Sequence, residues 1–232
     1  MKTIILYGCK RSGNHGLINL FIKSDKNYVH INDTILSYDQ YNKAKLIDIS
    51  KRDIDRRYTG LKGANLVILS MENQLPDYAE MKKFENMSDI FRLILLRNPY
   101  NTFASIWKFF DKSTYSLNGA IYWWFQYSKI FLNESEDDAS LIKVIYDKFY
   151  SDSEYRIDIF NQCGIDFGEV EGYIDGFTKY GVSSFEDKKL QRSRNYTLES
   201  NPYNDDREFM KMVSHQVIFD NWKKIREKYD IF

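Results

Sequence analysis

Cysteine, proline and excess charge are what this chain has least of, and each shortage closes off a class of protein. Cys9 and Cys163 are the only cysteines in 232 residues. Two are too few for a disulfide framework and suit a reducing compartment, so a cytoplasmic protein is expected. Lysine plus arginine total 33, as do aspartate plus glutamate. That balance leaves no global attraction for nucleic acid or anionic lipid. No apolar run approaches the roughly 18 residues that cross a bilayer. The opening Met1–Cys9 faintly resembles a lipoprotein signal, but its apolar stretch is too short for a signal core. Three prolines (Pro76, Pro99, Pro202), scattered glycines and an absence of repeats leave no linker. Residues 1–232 are therefore expected to form a single domain.

What is present is an alternation of two periodicities. Thr3–Tyr7, Leu66–Ser70, Leu93–Leu96 and Leu141–Tyr146 are short apolar runs rich in β-branched residues and read as buried strands, with Tyr28–Ile31 a weaker candidate. Between them lie helical stripes. Leu17, Leu20 and Phe21 follow the first strand, and Phe103, Ile106, Trp107 and Phe110 follow the strand ending at Leu96. Leu117, Ile121, Trp124, Ser128 and Phe131 mark a third helix, and Ile218, Trp222, Ile225 and Tyr229 the last, with His215 inside its pattern. Strands alternating with helices predict an α/β protein, a three-layer α/β/α arrangement around a central parallel sheet. Ligands of such sheets bind where the loops open at the carboxyl ends of the strands.

The first such loop is Gly8-Cys9-Lys10-Arg11-Ser12-Gly13-Asn14-His15. Gly8 and Gly13 have the G-x-x-x-x-G spacing of a phosphate-binding loop. Such a turn converges backbone N–H groups at a helix N-terminus. Lys10 or Arg11 adds a full positive charge, and Ser12, Asn14 and His15 add side-chain donors. The bland reading is a structural turn with His15 as a cap, and Cys9 reads as filler rather than an activated thiol. The Lys-[Ser/Thr] pair that grips the γ-phosphate and Mg²⁺ in nucleotide triphosphatases is missing. Asn14-His15 stands there instead, which fits a metal-bound triphosphate poorly.

The second loop is Arg97-Asn98-Pro99, with Ser105 eight residues beyond Arg97. A proline between a strand and an amphipathic helix marks a sharp turn into that helix. It puts Arg97 at a strand's carboxyl end and Ser105 two turns along the helix, where both can converge on one anion. Together, Lys10–His15 and Arg97-Asn98-Pro99…Ser105 resemble the two cofactor signatures of the sulfotransferase family, closer to its bacterial and carbohydrate-type members than to its cytosolic small-molecule ones. Val144–Phe149 is similar to the family's late Tyr-Glu-x-Leu strand, followed by a helix over Asp152–Cys163. Ser183-Ser184-Phe185, with Asn195-Tyr196-Thr197 downstream, resembles the segment that packs on the adenine.

The resemblance implies a P-loop nucleoside triphosphate hydrolase-like fold and metal-free sulfuryl transfer from 3'-phosphoadenosine-5'-phosphosulfate. It implies that Lys10, Arg11, Ser12, Gly13, Asn14 and His15 hold the 5'-phosphosulfate end, and that Arg97 and Ser105 hold the 3'-phosphate. Ser184 and Phe185 would meet the adenine. Three family features are altered. Gln74-Leu75-Pro76 stands near the place of the His-Leu-Pro that carries a base histidine. The Arg-Lys-Gly clamp is absent, leaving Arg192 or Arg194 to supply that charge, and Gly16 replaces a stacking tryptophan.

Sulfuryl transfer is an in-line displacement, so positioning and charge stabilisation should dominate. Lys10, Arg11 and His15 are the candidates for neutralising the leaving oxygen. Glu72, after the strand Leu66–Ser70, is the candidate base, with His30 and Asp33 next. A surface carboxylate is the plain alternative for Glu72. No His/Cys/Asp/Glu cluster has metal-ligand spacing. The aromatic patch Tyr122–Phe125 reads as core first and as a sugar-stacking surface second. The basic stretch Lys51, Arg52, Arg56, Arg57 and Lys62 reads as solvated surface, with a docking patch for an acidic acceptor as its rival. By family habit the acceptor is a glycan or lipid-linked sugar. Two rival functions remain open: a P-loop kinase of a nucleotide or small molecule, and a non-catalytic nucleotide-binding module.

Overall fold

A computed structural model describes residues 1–32, 61–77, 79, 82–83, 89–134, 141–166, 197 and 199–231. Its centre is five parallel strands: β1 (Lys2–Gly8), β2 (Tyr28–Asn32), β3 (Leu66–Glu72), β4 (Ile90–Leu96) and β5 (Leu141–Ile145). Their order across the sheet is β2-β3-β1-β4-β5. β1 is therefore central, paired with β3 from Lys2↔Leu66 to Gly8↔Glu72 and with β4 from Thr3↔Ile90 to Gly8↔Leu95. Because the chain leaves β1 towards one edge and later returns to β4 on its other side, the sheet has its switch point at the end of β1. That is where an open parallel sheet places its ligand.

Two apolar layers cover the sheet, and the two-residue period of the strands sorts side chains between them. Ile4 and Leu6 of β1 pack with Leu17, Ile18, Leu20 and Phe21 of α1 (Asn14–Ser24). The same face is closed by α4 (Tyr146–Ser151) and α5 (Ser153–Gln162), through Phe149, Ile159 and Phe160. Ile5 and Tyr7 point the other way, onto α2 (Pro99–Phe109), α3 (Thr114–Leu132), α6 (Arg207–Val213) and α7 (Gln216–Tyr229). Trp107, Trp124 and Phe131 are fully buried in that second layer. Each large apolar side chain so buried is worth about 2–3 kcal/mol. This is the expected three-layer α/β/α architecture.

The elements differ from the sequence expectation at four points. Tyr146 does not extend β5 but opens α4. Phe110 falls beyond the end of α2 and is 36% exposed, because the chain turns away through Asp111 and Lys112, both with positive φ. His215 precedes α7 as its cap residue rather than lying inside it. Of the aromatic patch, Trp124 is core whereas Tyr122 is 55% exposed.

Candidate active site

The first loop is folded upon itself by its own polar groups. Its backbone reverses through Arg11 (φ 65°) and Gly13 (φ 101°). The Ser12 amide and hydroxyl both donate to the Cys9 carbonyl, at 3.1 and 2.7 Å. Asn14 is buried, and its amide donates to the Cys9 carbonyl and to Glu72 Oε1, each at 3.2 Å. The side chains of Ser12 and Asn14 are thus committed to holding the loop's shape. Each glycine has a packing reason: a Cβ on Gly8 would overlap the Asn14 amide, and one on Gly13 would overlap the Tyr146 ring. His15 is exposed on the first turn of α1.

Asn73, which the sequence did not single out, ties this loop to β3. With φ 54°, its amide donates to the Gly8 carbonyl at 3.0 Å and its side-chain oxygen accepts from the Lys10 amide at 3.0 Å. Gln74 is fixed in turn by Tyr127, whose hydroxyl donates to the Gln74 carbonyl at 2.5 Å and accepts from its amide at 3.2 Å. Burial pushes the Tyr127 phenol well above its ordinary range, so it stays protonated and keeps that donor.

The second loop meets the first. Asn98 caps α2, accepting from the amides of Tyr100 and Asn101 at 2.9 and 3.4 Å, with Pro99 in the first helical turn. The Arg97 carbonyl accepts from the buried Trp124 indole at 2.9 Å. Arg97 Nη1 donates to the Arg11 carbonyl at 3.3 Å, and the guanidinium lies 5.0 Å from the centre of the Tyr146 ring. Arg97 Nε is buried with no hydrogen-bond partner. Arg11 Nε donates to Ser105 Oγ at 3.1 Å, and its guanidinium sits 4.5 Å from the centre of the Phe109 ring.

Burial and the neighbouring Arg97 hold the Arg11 guanidinium below its ordinary pKa, and Glu72 opposes them. Two guanidiniums this close, one with an orphaned buried donor, favour a multiply charged anion between them. Asp147, at the start of α4, fixes the turn from the far side by accepting from the Asn98 amide at 2.7 Å. Burial raises its carboxyl above the usual range, and Arg97 pulls it back.

The geometry therefore brings together Lys10, Arg11, Ser12, Gly13, Asn14, His15, Glu72, Arg97 and Ser105 at the carboxyl ends of β1, β3 and β4. Ser184, Phe185, Arg192, Arg194, Asp33 and the basic stretch from Lys51 to Lys62 (apart from Lys62, which is exposed) lie outside the described residues. Beyond Asn73, the joint between the loops made by Tyr146 and Asp147 was not read from the sequence; its only trace was the likeness of Val144–Phe149 to a family strand. A further polar group lies on β2 and β3. His30 Nε2 is 3.0 Å from Ser70 Oγ, which donates to Asn32 Oδ1 at 3.0 Å. Burial and the nearby His15 lower the His30 pKa to about 4. Among the described residues no group of three or more His, Cys, Asp or Glu side chains is placed to hold a metal ion, and no helix is long and apolar enough to cross a membrane.

No protein-family model and no curated protein matches the chain. Among solved structures, it is similar to mouse sulfotransferase SULT7A1 complexed with PAP, at 15% identity and TM-score 0.53, covering 96% of this chain and 88% of that one. It is likewise similar to the sulfotransferase domain of the Synechococcus PCC 7002 olefin synthase, at 13% identity and TM-score 0.53, covering 100% and 94%. The likeness is one of fold: the chain has the three-layer fold of the sulfotransferases.

Proposed function

We propose that the chain is a sulfotransferase, moving a sulfuryl group from 3'-phosphoadenosine-5'-phosphosulfate to a hydroxyl or amine of an acceptor such as a glycan or lipid-linked sugar. The observation that carries this reading is the pairing of Arg11 with Arg97, whose buried Nε has no partner, at the switch point of a sulfotransferase-like sheet. A solved structure of similar fold is complexed with PAP, the 3',5'-bisphosphate such a transfer leaves behind. Against a kinase stands Asn14. It occupies the position where a nucleotide triphosphatase carries its phosphate-gripping lysine, and it is spent on Cys9 and Glu72. The two free thiols, Cys9 and Cys163, are both buried, and a reducing cytoplasm suits them.

In this reading the donor supplies an activated sulfate, and the chain supplies position and charge. Arg11, Lys10 and the loop amides neutralise the oxygen that leaves, with His15 assisting from the first turn of α1. Arg97 and Ser105 hold the 3'-phosphate, joined by Arg192 or Arg194, and Ser184 and Phe185 receive the adenine. Glu72 takes the acceptor's proton: Asn14 fixes its Oε1 and so orients the other oxygen. Titration calorimetry with adenosine 3',5'-bisphosphate, set against ATP plus Mg²⁺, tests the reading. The bisphosphate is expected to bind at least about tenfold tighter, because only it carries a 3' group for Arg97. Tighter binding of ATP would sink it.

A further inference from the structure

The hydrogen-bonded trio on β2 and β3 has no part in holding the donor, yet it adjoins the proposed base. In β3 the alternation that turns Leu66 and Ile68 towards α1 also turns Ser70 and Glu72 that way. The register His30↔Ile68 and Asn32↔Ser70 puts His30 and Asn32 on the same face. Glu72 is bonded to Asn14 at the start of α1, and His15 in the next position is, after burial, the second cause that lowers the His30 pKa. Four polar side chains therefore floor the carboxyl end of the β2–β3 edge, beside the loop that would present the sulfuryl group.

The polarity of this floor follows from proton counting. A serine hydroxyl has one proton, and Ser70 gives it to Asn32 Oδ1. His30 must then donate to Ser70 through Nε2–H, which leaves Nδ1 as a bare acceptor in the neutral ring. With its pKa lowered to about 4, the ring stays neutral at physiological pH. Among the described residues, His30 Nδ1, Asn32 Nδ2 and the second oxygen of Glu72 make no hydrogen bond, and all three side chains are half-buried. The floor thus offers two acceptors and one donor, and carries no positive charge of its own. An aromatic ring with a single hydroxyl would leave most of that capacity unmet. A ligand with several neighbouring hydroxyls would satisfy it.

We propose that His30, Asn32 and Glu72 form the acceptor subsite, that Ser70 orients the first two, and that the subsite selects an uncharged polyhydroxyl acceptor such as a pyranoside over a phenol. This rests on the sulfotransferase reading and assigns its acceptor half. The bonds balance simply. An acceptor hydroxyl oxygen forms the new S–O bond as the S–O bond to the donor phosphate breaks, and the hydroxyl proton passes to Glu72.

The test is acceptor-dependent release of adenosine 3',5'-bisphosphate by the full chain, with methyl pyranosides and chito-oligosaccharides as polyhydroxyl probes and 2-naphthol as the phenol. His30→Phe and Asn32→Leu are each compared with wild type, and bisphosphate affinity is measured on the same preparations. The pyranoside series is expected to be turned over in preference to 2-naphthol. Each variant should raise the acceptor KM about tenfold, the cost of one hydrogen bond left unmade, with bisphosphate affinity held within about twofold. Because His30→Phe bears on a half-buried site and can impair folding, Asn32→Leu, at the end of its strand, serves as the independent variant. Preference for 2-naphthol, unchanged KM in a folded variant, or bisphosphate binding with no polyhydroxyl turned over would each overturn the acceptor assignment while leaving the donor reading standing. Failure of wild type to bind the bisphosphate would overturn both.

Discussion

The two halves of the sheet's carboxyl edge are built from opposite chemistry. On the β1–β4 side stand Arg11 and Arg97, the Arg97 guanidinium bonded to the Arg11 carbonyl, with the Arg11 guanidinium over the ring of Phe109 and that of Arg97 over the ring of Tyr146. On the β2–β3 side stand a histidine held neutral, a serine, an asparagine and a carboxylate. The first half attracts anions whatever their shape. The second carries no positive charge and discriminates by hydrogen-bond pattern. Segregation of this kind suits a transfer between an anionic donor and a neutral acceptor, because each substrate is repelled or unrewarded at the other's place. Glu72 lies at the seam, bonded to the cationic half through Asn14 and continuous with the neutral half along β3.

The largest expected effect comes from breaking that seam. Glu72→Gln keeps the size and the bond to Asn14 but removes the proton acceptor, so kcat should fall about thousandfold while bisphosphate affinity stays within about twofold. Steady-state rates with calorimetry on the same protein check this; an unchanged kcat would take the base role from Glu72. Next comes the cationic half alone. Arg97→Ala should weaken adenosine 3',5'-bisphosphate about a hundredfold and adenosine 5'-phosphate no more than about threefold. Equal losses would show that Arg97 does not address the 3' group.

The smallest effect sharpens the neutral half and appears in stability rather than activity. The folded-state pKa of His30, about 4, lies below the ordinary histidine value near 6.5. Between those values the unfolded chain takes up a proton that the folded chain refuses. Its contribution is therefore complete above about pH 6.5 and lost as pH falls towards 4, on the order of 2–3 kcal/mol. Urea unfolding of wild type and His30→Gln across that window should show a shallower fall for the variant. Parallel curves would mean that His30 is free to protonate in the folded state.

How far the sequence disclosed this arrangement depended on the range of the interactions. β1, β3 and β4 were readable because both faces of each central strand are covered, which leaves a run of apolar residues in the chain, and β5, at one edge, because Leu141, Val144 and Ile145 are buried. β2, at the other edge, was fainter because it is only half-buried along its whole length and so has no such run. Both anion loops were visible because each is a contiguous string with a local reason for every residue type. What joins them was not. Asn73 reaches Lys10 across 63 residues, and Asp147 reaches Asn98 across 49. No local pattern marks an asparagine or an aspartate as the partner of an amide so far away. The periodicity of α2 ran on to Phe110 because two residues in left-handed conformation end the helix, and neither is the glycine that would have announced it.

One contact bears on how this protein can change over generations. Gly13 lies so near the ring of Tyr146, 133 positions later, that a Cβ would overlap it, and its conformation disfavours any side chain. Neither residue is free to drift by itself. A larger residue at 13 needs a smaller ring at 146, and that loss would unseat Arg97 from its aromatic support. Lineages that alter this loop are expected to have altered both positions together, so the pair should be inherited as a single trait.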